Sequence, residues 1–172
     1  CRGAVFGDVL SNLLIFNGGK VTKEFYVNDY GNQIYNFVKS VYLRMREIKY
    51  KETFPLDKNL YPGSYIIDIA NKILQKSKKI NLENIEKSFN ILKKESLKQS
   101  LDLIKSDLKL LGVKHDHFFS ETKMVKKKSV DKIIKLLKKN SFVYEGYLSP
   151  PKGEDYSTWT KSKRLIFKSS SF

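Results

Sequence analysis

The chain has 172 residues, of which 41% are hydrophobic and 13% aromatic, a composition typical of a folded protein and not of a disordered one. It carries 33 lysines and arginines against 18 acidic residues, a formal net charge of +15 that favours contact with a nucleic acid. The single cysteine excludes an intrachain disulfide, and no apolar run reaches the roughly 18 residues of a membrane span, so we expect a cytoplasmic protein without a membrane partner.

The first part of the chain reads as helix, strand, polar turn and helix. Apolar residues recur with a helical period from Gly3 to Asn17, and two glycines, Gly18 and Gly19, predict the end of that helix. Alternating apolar and polar residues predict a strand over Lys20–Val27, and a helical period returns over Ile34–Tyr50. This order of elements indicates an α/β fold.

The middle of the chain is mainly helical. Pro55 and Pro62 interrupt the pattern, after which a short helix is predicted over Tyr65–Leu74. A long stretch rich in lysine and glutamate, Asn81–Leu111, carries a stripe of leucine and isoleucine and ends before Gly112. Such a stripe indicates a buried core face more often than a groove for a partner.

A shorter series of elements closes the chain. Val113–Phe119 is β-like, and Ser129–Asn140 is an amphipathic helix for which Ser129 is the predicted N-cap. A hairpin-like tail follows, with one arm at 142–144 and the other at 164–167.

Two groups of residues could suggest a metal site or a phosphate-binding loop. His115 and His117 would share one face of a strand, but a third ligand is missing nearby, so we predict no metal site. The segment Lys123–Ser129 superficially resembles a lysine-rich phosphate-binding loop of class I aminoacyl-tRNA synthetases, yet its spacing is wrong, and a solvated basic turn before a helix explains it. Neither a dinucleotide fingerprint nor a P-loop is present in the sequence.

The two predicted strands suggest where a ligand would bind. If they are parallel neighbours in one sheet, Asn28-Asp29 and Ser120-Glu121 lie just beyond their carboxyl ends, where open α/β sheets bind ligands. The alternative for the polar segment around Asp29 is an Asx-turn whose side chains bond to their own backbone.

Several ordered blocks resemble one family. The segment "CRGAVFGDVLSNLLIFNGGKVTKEFYVNDYGNQI" closely resembles the stretch of arginyl-tRNA synthetases that follows their His-x-Gly-His signature. The later blocks "YPGSYIIDIA", "LGVKHDHFFSETKM" and "FVYEGYLSPPKGEDYSTWTKSKRLIFKSSSF" are similar to later parts of the same family, in the same order, and the last looks bacterial. The chain is therefore expected to be an internal fragment that lies after the signature histidines.

The resemblance implies a fold and a division into regions. It implies a class I catalytic domain with a Rossmann-like sheet interrupted by a mainly helical insertion. Residues 1–52 would form the first part of that domain, 53–111 the insertion, and 112–172 a return to the sheet with a truncated hairpin-like tail.

The resemblance also implies an activity. The whole enzyme would be an arginine–tRNA ligase that activates arginine with ATP, with Mg²⁺ expected, and passes it from arginyl-adenylate to tRNA(Arg). Its partners would be L-arginine, ATP and tRNA(Arg), no prosthetic group would be bound, and the full-length enzyme is expected to be monomeric. The fragment alone is expected to be inactive.

The resemblance implies site residues at the positions of this sequence that match motifs of the family. The family's glutamate that faces the arginine guanidinium matches Glu121, for which a helix-capping or solvated glutamate is the alternative. The family's cleft motif matches a set of four residues whose individual roles stay open: Asn28, Asp29, Gly31 and Gln33. The catalytic residues remain unassigned, because the signature histidines lie outside this chain, and Asp8 is expected to brace the first helix.

Two interpretations from other functional classes of protein remain open at this point. One is a non-catalytic basic RNA-binding module derived from a synthetase, and the other is a purely structural piece. The high lysine content has a further explanation, since the base composition of an AT-rich genome can also produce it.

Overall fold

A computed structural model describes residues 2–76, 80–149 and 160–169. Its helices are α1 (Arg2–Phe16), α2 (Asn32–Tyr50), α3 (Ser64–Lys76), α4 (Ile85–Leu110), α5 (Glu121–Lys126) and α6 (Ser129–Lys139). Its strands are β1 (Glu24–Val27), β2 (His117–Ser120), β3 (Val143–Tyr147) and β4 (Lys163–Phe167). The protein is thus a mixture of helices and strands, and it divides into a unit that ends at Thr122 and a unit that begins at Lys123.

The core of the first unit is a three-helix cluster. Helices α2, α3 and α4 pack on one another because each presents an apolar stripe at helical spacing. The completely or almost completely buried side chains of this cluster include Val38, Val41, Met45, Ile66, Ile73 and Leu92. The predicted stripes of α2 and α3 are therefore core faces, and the stripe of α4 is a core face in its first half, at Ile85, Phe89 and Leu92.

Two hydrogen bonds connect this cluster to the loops that flank α3. The Tyr42 hydroxyl donates to the carbonyl of Leu82 at 2.7 Å, and the buried Ser40 hydroxyl accepts from the backbone N–H of Tyr61 at 2.9 Å. Because buried polar groups are costly unless they are paired, these bonds fix the loops that flank α3 against α2.

The strands of the first unit form a two-stranded parallel sheet. Glu24 pairs with His117, and Val27 pairs with Ser120. Both strands are shorter than predicted. Val113, the predicted start of the second strand, instead lies in the turn that follows α4, where its N–H donates to the carbonyl of Leu108 at 2.9 Å. Gly112, with φ +75°, allows this reversal at the helix end.

The second unit contains α6 and an antiparallel hairpin. Strands β3 and β4 pair from Val143 with Phe167 to Tyr147 with Lys163, which confirms the predicted hairpin. The proline-containing break between the arms, at 150–153, lies outside the described residues.

Two local predictions are wrong. Ser129 is the first residue of α6 and not its N-cap; Lys128 occupies the cap position with φ 54°, and no side-chain bond caps the helix there. The predicted basic turn over 123–129 is in large part helical, because α5 extends to Lys126. Over the ranges that the structure describes, none of the helices combines the length and the apolar character needed to cross a membrane.

Candidate functional site

The carboxyl ends of β1 and β2 bring the sequence-predicted site residues together. Because the two strands are parallel and Val27 lies opposite Ser120, the segments that follow them leave the sheet at the same edge. Asn28 and Asp29 follow β1, and Glu121 follows β2 as the first residue of α5. The predicted parallel pairing is therefore present.

Asp29 joins the two strand ends. Its carboxylate accepts a hydrogen bond from the Ser120 hydroxyl at 2.6 Å and another from the backbone N–H of Thr122 at 2.7 Å. The Thr122 hydroxyl donates in return to the Asp29 carbonyl at 2.9 Å. Asp29 therefore bonds across to the neighbouring strand end, which differs from an Asx-turn confined to its own backbone.

The electrostatics of Asp29 follow from these bonds. Burial acts to raise the pKa of its carboxyl, but the hydrogen bonds from Ser120 and Thr122 outweigh that effect, and the pKa lies below its usual value. Asp29 is thus held as a carboxylate whose oxygens are already used within the protein. Asp29 therefore holds Ser120 and Thr122, the two neighbours of Glu121 in sequence, at the end of β1.

Glu121 lies half-buried beside a tyrosine that sequence reasoning missed. Tyr26 is paired with Phe119, and Glu121 follows the end of β2 as the first residue of α5, so the register places Tyr26 close to the start of that helix. Partial burial, a hydrogen bond with Glu121 and the negative charges of Glu121 and Asp29 raise the pKa of Tyr26. The sequence would have indicated Tyr26 as a neighbour of Glu121 only if the pairing register of β1 with β2 had been known.

The remaining predicted residues lie in the turn from β1 into α2. The Asn28 amide donates to the side-chain oxygen of Gln33 at 3.4 Å. Gly31 has φ 89° and ψ −175°, a conformation that is essentially restricted to glycine, and α2 begins immediately after it. The motif therefore turns the chain at the sheet edge and keeps the exposed side chains of Asn28 and Gln33 adjacent.

The two histidines do not form a pair on one strand. His115 precedes β2 and packs edge-on against Phe25 and Phe118, with ring centroids 5.4 and 5.9 Å away, whereas His117 lies exposed at the start of β2. Within 2–76, 80–149 and 160–169, no group of three or more histidine, cysteine, aspartate or glutamate side chains is placed to hold a metal ion.

Asp8 braces the first helix. Its carboxylate pairs with the Lys23 ammonium at 2.8 Å and accepts from the Asn12 amide at 3.0 Å. The hydrogen bond from Lys23, which outweighs partial desolvation, lowers the pKa of Asp8. This pair connects α1 to the segment that enters β1.

Comparison with known proteins identifies the relatives of the chain. No protein-family model matches it. The arginine–tRNA ligase of Pelagibacter ubique is 48% identical over 100% of this chain, and that of Wolbachia pipientis wMel is 45% identical over 99%. A crystal structure of an arginyl-tRNA synthetase from Campylobacter jejuni superposes with a TM-score of 0.74 and 30% identity, covering 96% of this chain and 36% of that one.

These matches confirm the resemblance that the sequence blocks indicate. They run through the whole chain, whereas the chain spans about 30% of the length of the curated relatives. The alternative of a non-catalytic basic RNA-binding module derived from a synthetase is not favoured, because the relatives are ligases.

Proposed function

We propose that this chain, which is homologous throughout its length to part of the arginine–tRNA ligases, is part of an enzyme that activates arginine with ATP and transfers it to tRNA(Arg). The observation that carries the proposal is the position of Glu121 at the shared carboxyl edge of two parallel strands, where open α/β sheets bind ligands.

The finer architecture is part of the same proposal. Residues 1–52 would start a Rossmann-like catalytic domain, 53–111 would be a helical insertion, and 112–172 would return to the sheet and its hairpin-like tail. The parallel pairing of β1 with β2 supports a common sheet, and the helices α3 and α4 that separate them in sequence support the insertion.

Glu121 would recognise the arginine side chain. A guanidinium presents a planar set of N–H donors, and a carboxylate can accept two parallel, charge-assisted hydrogen bonds from it. Tyr26 is a neighbour of Glu121, whose charge contributes to the raised pKa of the tyrosine, and the Asp29 carboxylate accepts from the Thr122 N–H in the first turn of α5. These contacts would hold the carboxylate in one orientation before arginine arrives.

The cleft motif would shape the space beside that carboxylate. Gly31 lets the chain turn sharply into α2, and the exposed side chains of Asn28 and Gln33 offer polar groups at the same edge. Their individual contacts with substrate stay unassigned.

The reaction itself needs no covalent bond to the protein. The arginine carboxylate would attack the α-phosphate of ATP, pyrophosphate would leave, and the protein would contribute positioning and electrostatic stabilisation. Mg²⁺ is expected with ATP, but in the described residues no cluster of carboxylates offers it a site, so no residue of this chain is assigned to the ion. The enzyme is expected to act as a cytoplasmic monomer.

The test is Glu121→Gln in the complete ligase that contains this chain. The change keeps the side-chain volume but leaves the guanidinium facing a neutral amide, and breaking a buried charge pair costs about 2–5 kcal/mol. The affinity for arginine should fall at least about thirtyfold, while ATP binding is nearly unchanged.

A second substrate and a control variant sharpen this test. Citrulline carries a neutral ureido group, so its disadvantage against arginine in adenylate formation should shrink in Glu121→Gln. Glu83→Gln, an exposed glutamate in the turn before α4, should keep the wild-type ratio of arginine to citrulline efficiency. An unchanged ratio in Glu121→Gln would place Glu121 outside the arginine pocket.

A further inference from the structure

A second concave site lies between the end of α4 and the start of β2, within the first unit. It has a volume of about 440 Å³ and is lined by Lys105, Leu108, Lys109, Gly112, Lys114, His115 and Phe118. Neither Glu121 nor the cleft motif lines it. Volumes of this size are within the range of roughly 300–1,000 Å³ typical of small-molecule sites.

The end of α4 determines where the lysines lie. Lys105 and Lys109 are four residues apart and therefore share one face of the helix, with Leu108 beside them. Gly112 then adopts φ +75°, and its N–H donates to the Lys109 carbonyl at 3.1 Å, which turns the chain back. This turn brings Lys114 to the same rim.

The floor of the site is apolar and the rim is cationic. Leu108 is buried and Phe118 is half-buried, whereas the three lysines are exposed. The Lys105 ammonium lies 4.6 Å from the centre of the Phe118 ring, a distance at which the ring face attracts a cation.

The residues that line this site include no carboxylate, and in the described part of the chain none of the three lysines forms an ion pair. The Nδ1 atom of His115 is buried without a hydrogen-bond partner in the same described residues, so one polar group of the wall is left unsatisfied. The site therefore combines three positive charges that lack an ion-pair partner among the described residues with an apolar floor.

We propose that this pocket binds a single unstacked nucleotide of an RNA, with the base on the Leu108 and Phe118 floor and the flanking phosphates on Lys105, Lys109 and Lys114. Phosphate contacts by lysine supply most of the sequence-independent affinity for RNA, and single-stranded segments present bases that can enter a pocket. The chain's net charge of +15 agrees with a polyanionic partner. The choice of RNA rests on the proposed function, in which the partner is a tRNA.

The experiment compares two triple variants of the complete ligase. Lys105→Ala, Lys109→Ala and Lys114→Ala together remove the rim. The control combines Lys87→Ala, Lys94→Ala and Lys98→Ala, which remove the same charge from exposed positions of the same helix outside the pocket. Binding of a tRNA(Arg) transcript is measured over a range of salt concentrations.

The rim variant should bind the transcript at least tenfold more weakly than the control variant. Loss of three phosphate contacts should also reduce the slope of log affinity against log salt by about 2, since each single-stranded contact contributes about 0.7. A rim variant with Arg at all three positions should retain binding. Photo-cross-linking of a transcript that contains 4-thiouridine should label the segment 105–118 in the wild type.

Equal affinity of the rim and control variants, or cross-links confined to other segments, would overturn the proposal. Arginylation by the wild-type ligase is measured separately. A wild type that binds the transcript through the rim but does not arginylate it would contradict the proposed function and leave the pocket supported, so the two failures are distinguishable.

Discussion

At the scale of single residues, Asp29 is the side chain on which the geometry of the strand ends depends. Replacement by Asn keeps an acceptor oxygen but removes the charge that strengthens the bonds from Ser120 and Thr122. Hydrogen bonds to charged groups contribute about 1.5–3 kcal/mol each, so the amide of Thr122 should exchange at least about tenfold faster in Asp29→Asn. Hydrogen exchange of the peptide that contains Thr122, measured in the complete ligase, checks this.

The same residue predicts a dependence on pH. The folded pKa of Asp29 is lowered, so its stabilising contribution is present above the usual carboxyl pKa of 3.8 and is lost as the pH falls through the folded value. The protection factor of the Thr122 amide should therefore hold at pH values above 3.8, drop as the pH falls below 3.8 in the wild type, and stay nearly flat in Asp29→Asn. Asp102→Asn, an exposed change on α4, should behave like the wild type. Parallel acid profiles for wild type and Asp29→Asn would contradict this role.

Residue identity alone could indicate where the site lies but not which hydrogen bonds connect its residues. The polar motif and the glutamate after the second strand could be read from the sequence, since both follow predicted strands. The bonds that connect Asp29 to Ser120 and Thr122 span more than ninety positions, with |i−j| of 91 and 93, and depend on the register of β1 and β2. Tyr26 was missed for the same reason.

At the scale of elements, periodicity predicted the helices well and the boundaries of the strands poorly. The stripes of α2, α3 and α4 are visible in sequence because burial on one face imposes a 3.6-residue period. Strands β1 and β2 were predicted too long and the hairpin strands β3 and β4 too short, since pairing and not alternation determines where a strand begins and ends. The cap of α6 was misassigned because Lys128 adopts a left-handed conformation that lysine rarely takes.

The short helix α5 supplies a further prediction. Its last residue, Lys126, and the turn residues Lys127 and Lys128 are exposed, and the chain enters the amphipathic helix α6 directly afterwards. We expect no role in ATP binding, so Ser at all three positions should leave the Michaelis constant for ATP nearly unchanged in the complete ligase. The measurement is the ATP dependence of adenylate formation.

A matched variant makes that result informative. Lys132→Ser, Lys135→Ser and Lys138→Ser remove the same charge from α6, away from the short helix. Both triple variants should resemble the wild type. A tenfold rise in the Michaelis constant, equal to about 1.4 kcal/mol, in the first variant alone would show that the basic segment meets ATP.

At the scale of the whole molecule, the distribution of apolar surface agrees with a chain that spans about 30% of its relatives. The cluster of α2, α3 and α4 is buried, yet α1 has no buried residue among those described. Phe6, Leu10 and Leu13 on this helix are 71%, 46% and 55% exposed. Contiguous apolar patches of this kind mark surfaces that another part of a protein covers.

The last prediction concerns the isolated chain. Without the signature histidines and the rest of the proposed sheet it should show no arginine-dependent pyrophosphate exchange, and α1 should make it self-associate. Sedimentation of the purified chain should reveal oligomers that Ser at positions 6, 10 and 13 converts largely to monomer. Ser at three exposed apolar positions of α6, namely Val130, Ile133 and Leu136, serves as the matched control and should leave the oligomers in place. Pyrophosphate exchange above a vector control would show that the catalytic parts lie elsewhere than proposed. Self-association that depends on α6 and not on α1 would show that the uncovered apolar surface lies elsewhere.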